Sequence, residues 1–405
     1  MTGSGSRHVV HLTTTDMSLE LLLGPQLTAF VEAGWQVTGV SAAGPFVPAI
    51  EARGVTFVGL EHSTRSMSVG SDLRAMREVY ELFRRLRPDV VHTHNPKPGI
   101  YGRIAARLAR VPAVVNTVHG LYAQPTDPLR RRGPVYALER LAATCSDAEL
   151  IQNPEDLDTL RGLRVPASKL TLLGNGVDLT RFGPAAPGDD RRARLRGELG
   201  ITDNNAGGDA DVDDTVVVGV VGRLVAEKGY HEVFEAARIV RDAHPDVAIT
   251  FVVIGPHEPD KADALDELVV ARARSEGVVM CGHRDDVEDL YQAMDLYVLA
   301  SYREGFPRSA MEAAASGLPI VATDIRGCRQ VVEPDHNGLL VPARDARALA
   351  EAIARLATDP TLRARMRDAA LTKAQAEFDD RRQVQITLDT YERLLATRGA
   401  VTAAS

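Results

Sequence analysis

The sequence predicts an α/β fold with two doubly wound, Rossmann-like domains, and three observations lead to this expectation. A chain of 405 residues is too long for one ordinary hydrophobic core. Short apolar segments rich in valine and isoleucine alternate with longer amphipathic segments, which indicates parallel strands covered by helices on both faces. The alternation starts afresh near residue 216, so two similar halves explain the pattern better than one large sheet.

The first half predicts five strands separated by helices. Residues 8–13 (HVVHLT) form the first strand, because apolar and β-branched residues dominate the segment. The following strands are predicted at residues 37–41, 56–59, 90–92 and 113–118. Amphipathic spacing between them predicts helices at residues 18–33, 48–53, 72–86 and 99–109.

The second half repeats this order. Residues 216–221 are almost continuously apolar, which is typical of a strand buried on both faces of a sheet. The other strands are predicted at residues 248–254, 278–281, 296–299 and 319–322. The helices are predicted at residues 230–243, 260–275, 287–293, 309–316, 345–359 and 361–395.

A segment rich in proline and glycine, residues 181–188, is interpreted as the linker between the domains. The predicted domains are therefore residues 1–182 and residues 183–380. The C-terminal helical segment, residues 381–405, is expected to return to the first domain.

Composition excludes several classes of protein. Apolar residues make up 44% of the chain and charged residues 25%, which is typical of a globular protein. The three cysteines, Cys145, Cys281 and Cys328, are too scattered for a disulfide framework or a zinc site. The aspartate-rich segment 203–214 lacks the closing glutamate of a calcium loop, so a surface insertion without a metal ion is expected.

Charge and hydropathy bear on partners and location. The net charge of −8 and the lack of interleaved basic and aromatic residues argue against a nucleic-acid partner. The N-terminal segment does not resemble a signal peptide and no apolar run is long enough to cross a membrane, so a cytoplasmic location is expected.

Positive charge is concentrated in the first half of the chain. Residues 1–180 carry 19 Lys and Arg against 17 Asp and Glu, although the whole chain is acidic. Arginines cluster at residues 84–87, 103–110 and 130–132. These clusters indicate either solvated helix faces or a surface for anionic lipid or a diphosphate-bearing acceptor, and both interpretations stay open here.

Two cations follow the predicted strand at residues 216–221. In VGVVGRLVAEKGY, the strand leads to Gly222, and Arg223 and Lys228 come after it. Open α/β sheets bind ligands at the carboxyl ends of their strands. A guanidinium and an ammonium group suit a diphosphate. The phosphate-binding motifs GxxxxGK[ST] and GxGxxG are both absent. The alternative interpretation is that Arg223 and Lys228 are surface charges in a turn.

Two glutamates lie on either side of a predicted helix start in SYREGFPRSAMEAAASGLPIVATD, residues 301–324. The N–H groups at the start of a helix favour an anion, and Gly305 permits close approach of the backbone to a ligand. Carboxylates such as Glu304 and Glu312 can accept hydrogen bonds from sugar hydroxyls. Amide N–H groups for a phosphate and carboxylates for sugar hydroxyls together indicate a site for a nucleotide-sugar. In the alternative interpretation, Glu304 is solvated and Glu312 only stabilises the helix dipole.

Three segments of the chain resemble motifs of the family 4 retaining glycosyltransferases. They are the E-x7-E pair Glu304–Glu312 within EGFPRSAMEAAASGLPIVAT, the segment GRLVAEKG at residues 222–229, and LGNGVDLTRF at residues 173–182. Their order and spacing extend the resemblance over nearly the whole chain. The resemblance implies a GT-B fold, in which two Rossmann-like domains face each other across a cleft and the C-terminal domain binds the donor.

The resemblance also implies roles for residues of the second half. Arg223 and Lys228 would hold the diphosphate and stabilise charge on the leaving group, so neither a metal ion nor a cofactor is expected. Glu312 would hold the ribose hydroxyls, and Glu304 the transferred sugar. The backbone near His283 would contact the base. Main-chain groups of one turn would contact sugar and phosphate, namely those of Gly305, Phe306, Pro307 and Arg308.

Histidines follow strand ends in the first half, within VVHTHNPKPG and TVHGLY. These segments resemble those of the subgroup that builds bacterial surface glycans on polyprenyl diphosphate carriers, as does TTTDMS at residues 13–18. The resemblance implies that His119 lies near the reacting sugar, although any single histidine is more often structural. The candidate acceptor-binding residues are Thr14, Asp16, His94, Lys97 and His119.

The function that the resemblance implies is retaining transfer of a hexose or N-acetylhexosamine from a nucleotide-sugar, with a UDP-sugar expected. The expected acceptor is a polyprenyl-diphosphate-linked saccharide. The arginine clusters also allow a peripheral contact between the protein and the inner face of the membrane. One alternative is a tailoring transferase acting on a soluble small metabolite such as an aminocyclitol. An NDP-sugar epimerase of the same architecture is the other.

Overall fold

The computed structural model describes residues 6–63, 69–94, 96–125, 127–186, 188–201, 215–259 and 263–403. The loop predicted at residues 203–214 lies outside the described residues. The chain divides into two compact units. Met1–Asn175 and Asp380–Ser405 form the first unit, and Gly176–Asp379 form the second.

The first unit contains a parallel sheet of seven strands. The strands are β1 (His8–Thr15), β2 (Gln36–Ala42), β3 (Thr56–Gly59), β4 (Val90–His94), β5 (Ala113–Val118), β6 (Ala148–Ile151) and β7 (Leu170–Leu172). Their order across the sheet is β3-β2-β1-β4-β5-β6-β7. The connection reverses direction between β1 and β4, which is where doubly wound sheets bind ligands.

Helices cover both faces of this sheet. Alternate residues of β1 enter different cores: Val9 packs with α-helical residues on one face, and Val10 and Leu12 pack on the other. The predicted helix over residues 18–33 divides at Leu23 into a π-helix, Ser18–Leu22, and the first α-helix. The α-helices are α1 (Gly24–Glu32), α2 (Val47–Ala52), α3 (Val69–Leu86), α4 (Pro96–Leu108), α5 (Leu129–Ala143) and α6 (Pro154–Gly162).

The second unit contains a parallel sheet of six strands. The strands are β8 (Val216–Val221), β9 (Ile249–Ile254), β10 (Val279–Gly282), β11 (Leu296–Leu299), β12 (Ile320–Thr323) and β13 (Gly338–Val341). Their order across the sheet is β10-β9-β8-β11-β12-β13. The direction of the connection reverses between β8 and β11. The helices are α7 (Arg191–Glu198), α8 (Tyr230–Ala243), α9 (Glu267–Ser275), α10 (Val287–Leu290), α11 (Arg308–Ala315), α12 (Cys328–Val331), α13 (Ala346–Thr358) and α14 (Pro360–Glu377).

Several elements are absent from the sequence-based prediction. The strands β6, β7 and β13 have only three or four residues each, so the alternation that marks a strand is too short to stand out. The helix α5 was missed because a run of arginines and Pro134 hide its periodicity. The remaining unpredicted helices are α6, α7 and α12.

The long helix predicted over residues 361–395 is two helices, because the helix is interrupted at Phe378. The Phe378 side chain is buried, and its carbonyl oxygen accepts a hydrogen bond of 2.8 Å from the Val177 N–H. The helix α14 ends before this break in the second unit. The next helix, α15 (Asp380–Ala403), belongs to the first unit, where the Tyr391 ring packs against Phe30 and Trp35.

The boundary between the units differs from the predicted one after residue 182. The second unit starts at Gly176, because Val177 and Phe182 are both buried in its core. Within the described ranges, no helix combines the length and the apolar character needed to cross a bilayer.

Candidate active-site residues in the two units

The loop after β8 and the loop after β11 meet in the second unit through a close backbone contact at Gly229. Gly229 has a φ of 72°, and a Cβ atom there would lie 2.1 Å from the carbonyl oxygen of Ala300. Only glycine permits this approach. The contact brings Lys228 to the carboxyl end of β11, where its Nζ atom lies 2.6 Å from Oε1 of Glu304.

The Glu304 carboxylate is held in place from the strand side as well. The Ser301 hydroxyl donates a 2.8 Å hydrogen bond to Glu304 Oε1, and the Thr323 hydroxyl in turn donates to the Ser301 carbonyl at 2.6 Å. A Cβ atom at Gly327 would lie only 2.8 Å from Glu304. The carboxylate is therefore positioned by its neighbours and is not a freely solvated surface group.

The second glutamate, Glu312, lies on α11 above two buried tyrosines. The Tyr291 hydroxyl lies 3.1 Å from Glu312 Oε2 and 3.0 Å from the Ser309 carbonyl oxygen. The Tyr297 hydroxyl lies 2.8 Å from the Ser309 hydroxyl. Burial raises the pKa of Glu312, and the positive charge of Arg308 acts in the opposite direction.

The sequence-based prediction missed Tyr291 and Tyr297. Both rings are fully buried, and a buried tyrosine needs a hydrogen-bond partner for its hydroxyl. A tyrosine at the apolar strand position 297 is the signal in the sequence, because valine or leucine would fill such a position without needing a partner.

The remaining predicted donor residues lie on loops at the carboxyl edge of the same sheet. Arg223 follows β8, is exposed, and forms no ion pair with any residue that the structure describes. His283 follows β10, is 71% exposed and lies 3.2 Å from Asp285. The turn between β11 and α11 contains Gly305, Phe306 and Pro307, and α11 begins at Arg308.

Four histidines of the first unit come together at the carboxyl half of its sheet. His11 on β1 pairs in register with His92 on β4, and His94 lies on the same face two residues further on. The rings of His92 and His94 have centroids 4.1 Å apart. His119 follows β5, with its ring centroid 5.3 Å from that of His94. His11 is therefore the member that the sequence-based prediction did not identify.

Burial keeps these imidazoles uncharged. It lowers the pKa of His11 to about 3 and that of His119 to about 4, where an interaction with Gln152 opposes the shift. The pKa values of His92 and His94 are also well below the ordinary value, because burial and the neighbouring histidines both disfavour a positive charge.

Three of these rings, His11, His92 and His94, are close enough for one metal ion to reach a nitrogen of each. However, both nitrogens of His92 have partners: Nδ1 lies 2.5 Å from the Tyr391 hydroxyl, and Nε2 lies 2.7 Å from the Thr117 hydroxyl. Metal binding would require His92 to give up one of these contacts. The geometry of these described residues therefore favours a hydrogen-bonded cluster.

His94 was predicted to bind an acceptor, and this contact stays a prediction, although the environment of His94 is structural. The His94 side chain is fully buried, with one nitrogen 3.0 Å from His11 and the other 3.0 Å from His119. Both ring nitrogens of His94 therefore face other histidines in this structure. The reason is that β4 extends to residue 94, two residues beyond its predicted end, and so carries this side chain into the sheet interior.

Asp16 also has a structural environment. It is 4% exposed, and its two carboxylate oxygens accept hydrogen bonds from the N–H groups of Met17 and Phe46 at 2.9 and 2.8 Å. A Cβ atom at Gly44 would lie 2.6 Å from this carboxylate. These contacts shape the loop after β2, and the predicted acceptor contact of Asp16 stays a prediction.

Thr14 and Lys97 line a cavity of about 520 Å³ in the first unit. Lys97 Nζ lies 2.5 Å from Oδ1 of Asp72, so the cation is paired at the cavity wall. Most of the other walls are apolar or aromatic, and they belong to α4, α5 and the loop before α5. These side chains are Ile100, Tyr101, Tyr122, Val135 and Leu138.

A buried ion-pair network fixes α5 next to this cavity. The Arg103 guanidinium is 1% exposed and donates to Glu139 on α5 and to Glu149 on β6, both at 2.7 Å. The Asn116 side chain also donates to Glu149 at 2.7 Å. Because all three charges are buried, each depends on the others for compensation.

Two family models match the chain and together span most of it. Residues 26–181 match the model described as Glycosyltransferase Family 4, and residues 206–373 match the model described as Glycosyl transferases group 1. A relative of 31% identity is the UDP-Gal:alpha-D-GlcNAc-diphosphoundecaprenol alpha-1,3-galactosyltransferase of Escherichia coli, and the match covers 74% of each chain. The chain belongs to glycosyltransferase family 4.

Further comparisons place this family 4 glycosyltransferase among proteins of related architecture. The D-inositol 3-phosphate glycosyltransferase of Kribbella flavida is 28% identical over 98% of this chain and 93% of its own. The crystal structure of HepE of Anabaena, solved in complex with UDP, has a TM-score of 0.77 at 20% identity and covers 96% of this chain and all of its own.

These findings confirm two expectations about this family 4 glycosyltransferase. Its fold is GT-B, and the resemblance to bacterial surface-polysaccharide transferases is confirmed by the relatives. Membership of a transferase family also argues against the epimerase alternative.

Proposed function

We propose that this glycosyltransferase moves a hexose or N-acetylhexosamine from a UDP-sugar to a saccharide linked to polyprenyl diphosphate, with retention of anomeric configuration. The observation that carries this proposal is the pairing of Lys228 with Glu304 at the switch point of the second sheet. In this pair, the cation proposed for the diphosphate lies directly beside the carboxylate proposed for the sugar.

The donor half of the proposal rests on three groups at this edge of the sheet. Lys228 and Arg223 supply positive charge for the diphosphate, and the first turn of α11 supplies N–H groups. Glu304 accepts hydroxyls of the transferred sugar, and Glu312 accepts those of the ribose. The turn Gly305–Arg308 and the backbone at His283 complete the proposed donor site. The E. coli relative is named for a UDP-sugar donor.

The proposed chemistry needs no metal ion, because protein cations take over the neutralisation of the leaving diphosphate. Arg223 has no ion-pair partner among the residues described, so its charge is available to a ligand. The leaving diphosphate would accept the proton of the attacking hydroxyl. The relative named above forms an alpha-1,3 linkage, and an α-linked donor that yields an α-linked product reacts with retention.

The acceptor half of the proposal rests on the first unit. The cavity at Thr14 and Lys97 has the Lys97–Asp72 ion pair at one wall and apolar groups at the others, so an isoprenoid diphosphate bound there would compete with Asp72 for Lys97. His119 lies at the carboxyl edge of the same sheet, where a reacting sugar would be reached. The acceptor named for the E. coli relative is a diphosphoundecaprenol-linked sugar.

A peripheral membrane contact through α5 follows from the same proposal. Leu129, Leu138 and Leu141 on this helix are 73%, 46% and 57% exposed. Arg130 and Arg131 are exposed on its first turn. The exposed arginines suit the surface of a membrane that carries anionic lipid, and Leu138 of this helix also lines the proposed acceptor cavity.

A second candidate function is transfer to a soluble phosphorylated cyclitol, and it is favoured by one observation. The relative from K. flavida, named for D-inositol 3-phosphate, matches 98% of this chain. A small anionic acceptor could use Lys97 without requiring the apolar walls of the cavity or a membrane surface.

One assay separates these candidates. The purified full chain is incubated with UDP-glucose, UDP-galactose and their N-acetylated forms, with either a short-chain GlcNAc-diphosphoprenol or inositol 3-phosphate as the acceptor. We expect product only with the lipid-linked acceptor, an α-configured anomeric proton by NMR, and full activity in EDTA. Product only with inositol 3-phosphate would overturn the lipid acceptor, and a β-linked product would overturn retention.

A further inference from the structure

Tyr302 lies in the loop after β11, between two residues that shape the candidate donor site. Ser301 precedes it and donates a hydrogen bond to the carboxylate of Glu304, which follows Tyr302 by two positions. Loops are more mobile than the strands and helices that they connect. The position of Glu304 therefore depends on the contacts that fix this loop, and Tyr302 makes three of them.

The first contact is through the backbone and joins this loop to the loop after β8. The Tyr302 N–H donates a 2.9 Å hydrogen bond to the carbonyl oxygen of Glu227, the residue before Lys228. The same two loops approach each other closely at Gly229. The backbone at Tyr302 therefore connects the loop that carries Glu304 to the loop that carries Lys228.

The second contact is through the side chain and joins Tyr302 to α8. The Tyr302 hydroxyl lies 2.8 and 2.6 Å from the two carboxylate oxygens of Glu232, in the first turn of that helix. A phenol can donate its proton to a carboxylate, and such a charge-assisted bond is stronger than one between neutral groups. Burial and the Glu232 carboxylate raise the pKa of Tyr302 to about 12, while Arg344 acts in the opposite direction. The hydroxyl therefore keeps the proton that it donates at neutral pH.

The third contact covers the ring of Tyr302. The Cζ atom of Arg344 lies 3.7 Å from the ring centroid, so the guanidinium forms a cation–π contact with the ring. Arg344 follows β13 and has a φ of 64°, a left-handed conformation that is unfavourable for residues other than glycine. Tyr302 is thus joined to α8 and to the loop after β13 at the same time.

These contacts connect the loop of Glu304 to three other parts of the carboxyl edge of the second sheet. Because one residue separates Tyr302 from Glu304, a shift of Tyr302 would move the carboxylate relative to Lys228. We propose that Tyr302 is a positioning residue, which holds Glu304 beside Lys228 in the geometry that transfer requires. This inference rests on the proposed function, in which Glu304 contacts the sugar. Tyr302 itself contacts no substrate in this proposal.

The first test removes the hydroxyl alone. Tyr302→Phe keeps the ring, the contact with Arg344 and the backbone bond, but it cannot donate to Glu232. We expect kcat to fall roughly 10-fold with little change in UDP affinity, because a misplaced carboxylate affects sugar transfer and not nucleotide binding. Glu232→Leu should reproduce the loss, and Glu232→Gln, whose amide oxygen still accepts a hydrogen bond, should restore most of kcat. A wild-type kcat in Tyr302→Phe would overturn the inference.

The second test determines whether Tyr302 acts through Glu304. Tyr302→Phe and Glu304→Gln are combined in a double-mutant cycle, and kcat is measured for all four forms. A positioning hydroxyl has no carboxylate left to position once Glu304 is replaced. We therefore expect the double variant to have the same kcat as Glu304→Gln alone. A second loss of roughly 10-fold in the double variant, as for independent sites, would show a general structural effect and overturn the inference.

The third test concerns the cation over the ring. Arg344→Gln removes the positive charge, and we expect kcat to fall about 3-fold, because a cation–π contact at an exposed position is weaker than the bond to Glu232. Arg347, which is also exposed and lies three positions further along the chain, provides the matched control. Arg347→Gln should have the wild-type kcat. Equal losses in the two arginine variants would contradict the role of the ring contact.

The positioning role and the proposed function fail in different ways. All variants are compared at a temperature at which their unfolding curves show them to be folded. A wild-type kcat in Glu304→Gln would refute the proposed role of Glu304 in transfer. The expected loss in Glu304→Gln, together with a wild-type kcat in Tyr302→Phe, would preserve the proposed function and refute only the positioning role of Tyr302.

Discussion

Lys228 Nζ lies 2.6 Å from Glu304 Oε1, so the cation proposed for the diphosphate is already paired with the carboxylate proposed for the sugar. Their side chains are 28% and 13% exposed, so water screens the pair only in part. In the proposed donor site, Glu304 therefore contributes a negative charge close to the position proposed for the diphosphate. If Glu304 holds the sugar as proposed, its charge lowers the affinity of the same site for the nucleotide diphosphate.

Opposite effects on UDP binding are expected when the two partners are replaced separately. Glu304→Gln should bind UDP at least as tightly as the wild type, because a negative charge is removed, while kcat falls by roughly 10²- to 10³-fold. Lys228→Met should weaken UDP binding. Titration calorimetry with UDP and initial-rate kinetics measure both quantities. Weaker UDP binding by Glu304→Gln would contradict this division of roles, and Glu227→Gln, on the same turn, is the matched control.

Replacement of Glu312 should separate stability from function. Burial raises the pKa of this carboxyl, so the folded state binds the proton more tightly than the unfolded chain does. Stability is then lost as the pH rises through that range. Glu312→Gln should raise Tm at pH 7, by an amount that shrinks as the pH falls towards 4.5, and should weaken UDP binding. Thermal unfolding across this pH range checks the first part, and an unchanged Tm at pH 7 would contradict it.

The histidine cluster should make the first unit sensitive to acid. Because burial lowers the pKa of His11 from 6.5 to about 3, the unfolded chain binds a proton that the folded chain excludes throughout that range. Stability from this group is complete above pH 6.5 and falls by about 1.4 kcal/mol per pH unit below it. His11→Leu should flatten the dependence of unfolding free energy on pH between 6.5 and 4. His283→Leu, at an exposed site, should not, and equal slopes in both variants would contradict the prediction.

The buried Arg103 network should contribute strongly to the stability of the first unit. Arg103→Met leaves Glu139 and Glu149 as uncompensated buried carboxylates, a change that costs about 3–5 kcal/mol in such networks. Chemical denaturation measures the loss. Arg107→Met, whose partner Asp147 is partly exposed, should cost about 1 kcal/mol or less. Similar losses in the two variants would show that burial does not distinguish the networks.

Membrane binding should depend on the arginines of α5. Replacing Arg130, Arg131 and Arg132 with Gln removes three charges, each of which contributes about 1 kcal/mol at an anionic surface, so vesicle affinity should fall by about 10²-fold. Cosedimentation with phosphatidylglycerol-rich vesicles measures the loss, and neutral phosphatidylcholine vesicles should bind neither form. As a control, Arg84→Gln with Arg85→Gln on α3 should leave binding unchanged, and an equal loss there would indicate nonspecific charge attraction.

The sequence by itself determined the fold class and the donor motifs, because both are written in contiguous segments. The alternation of apolar runs and amphipathic helices is a local pattern, so strands such as Val216–Val221 and Ala113–Val118 were predicted with their observed bounds. Glu304 and Glu312 were identifiable because both belong to one turn and the helix after it. Short strands and the arginine-rich α5 were missed where the local pattern is weak.

Only the tertiary structure decided which of these residues act together, because contacts across a parallel sheet depend on strand order. Lys228 and Glu304 are 76 positions apart and meet because β8 and β11 are neighbours. His11 meets His94 across 83 positions for the same reason, since β1 lies beside β4. Because these strands are adjacent, the His94 side chain is buried and His11 lies within hydrogen-bonding distance of it. Local sequence carries no record of which strands become neighbours, and this is why the pairs could be read only from the fold.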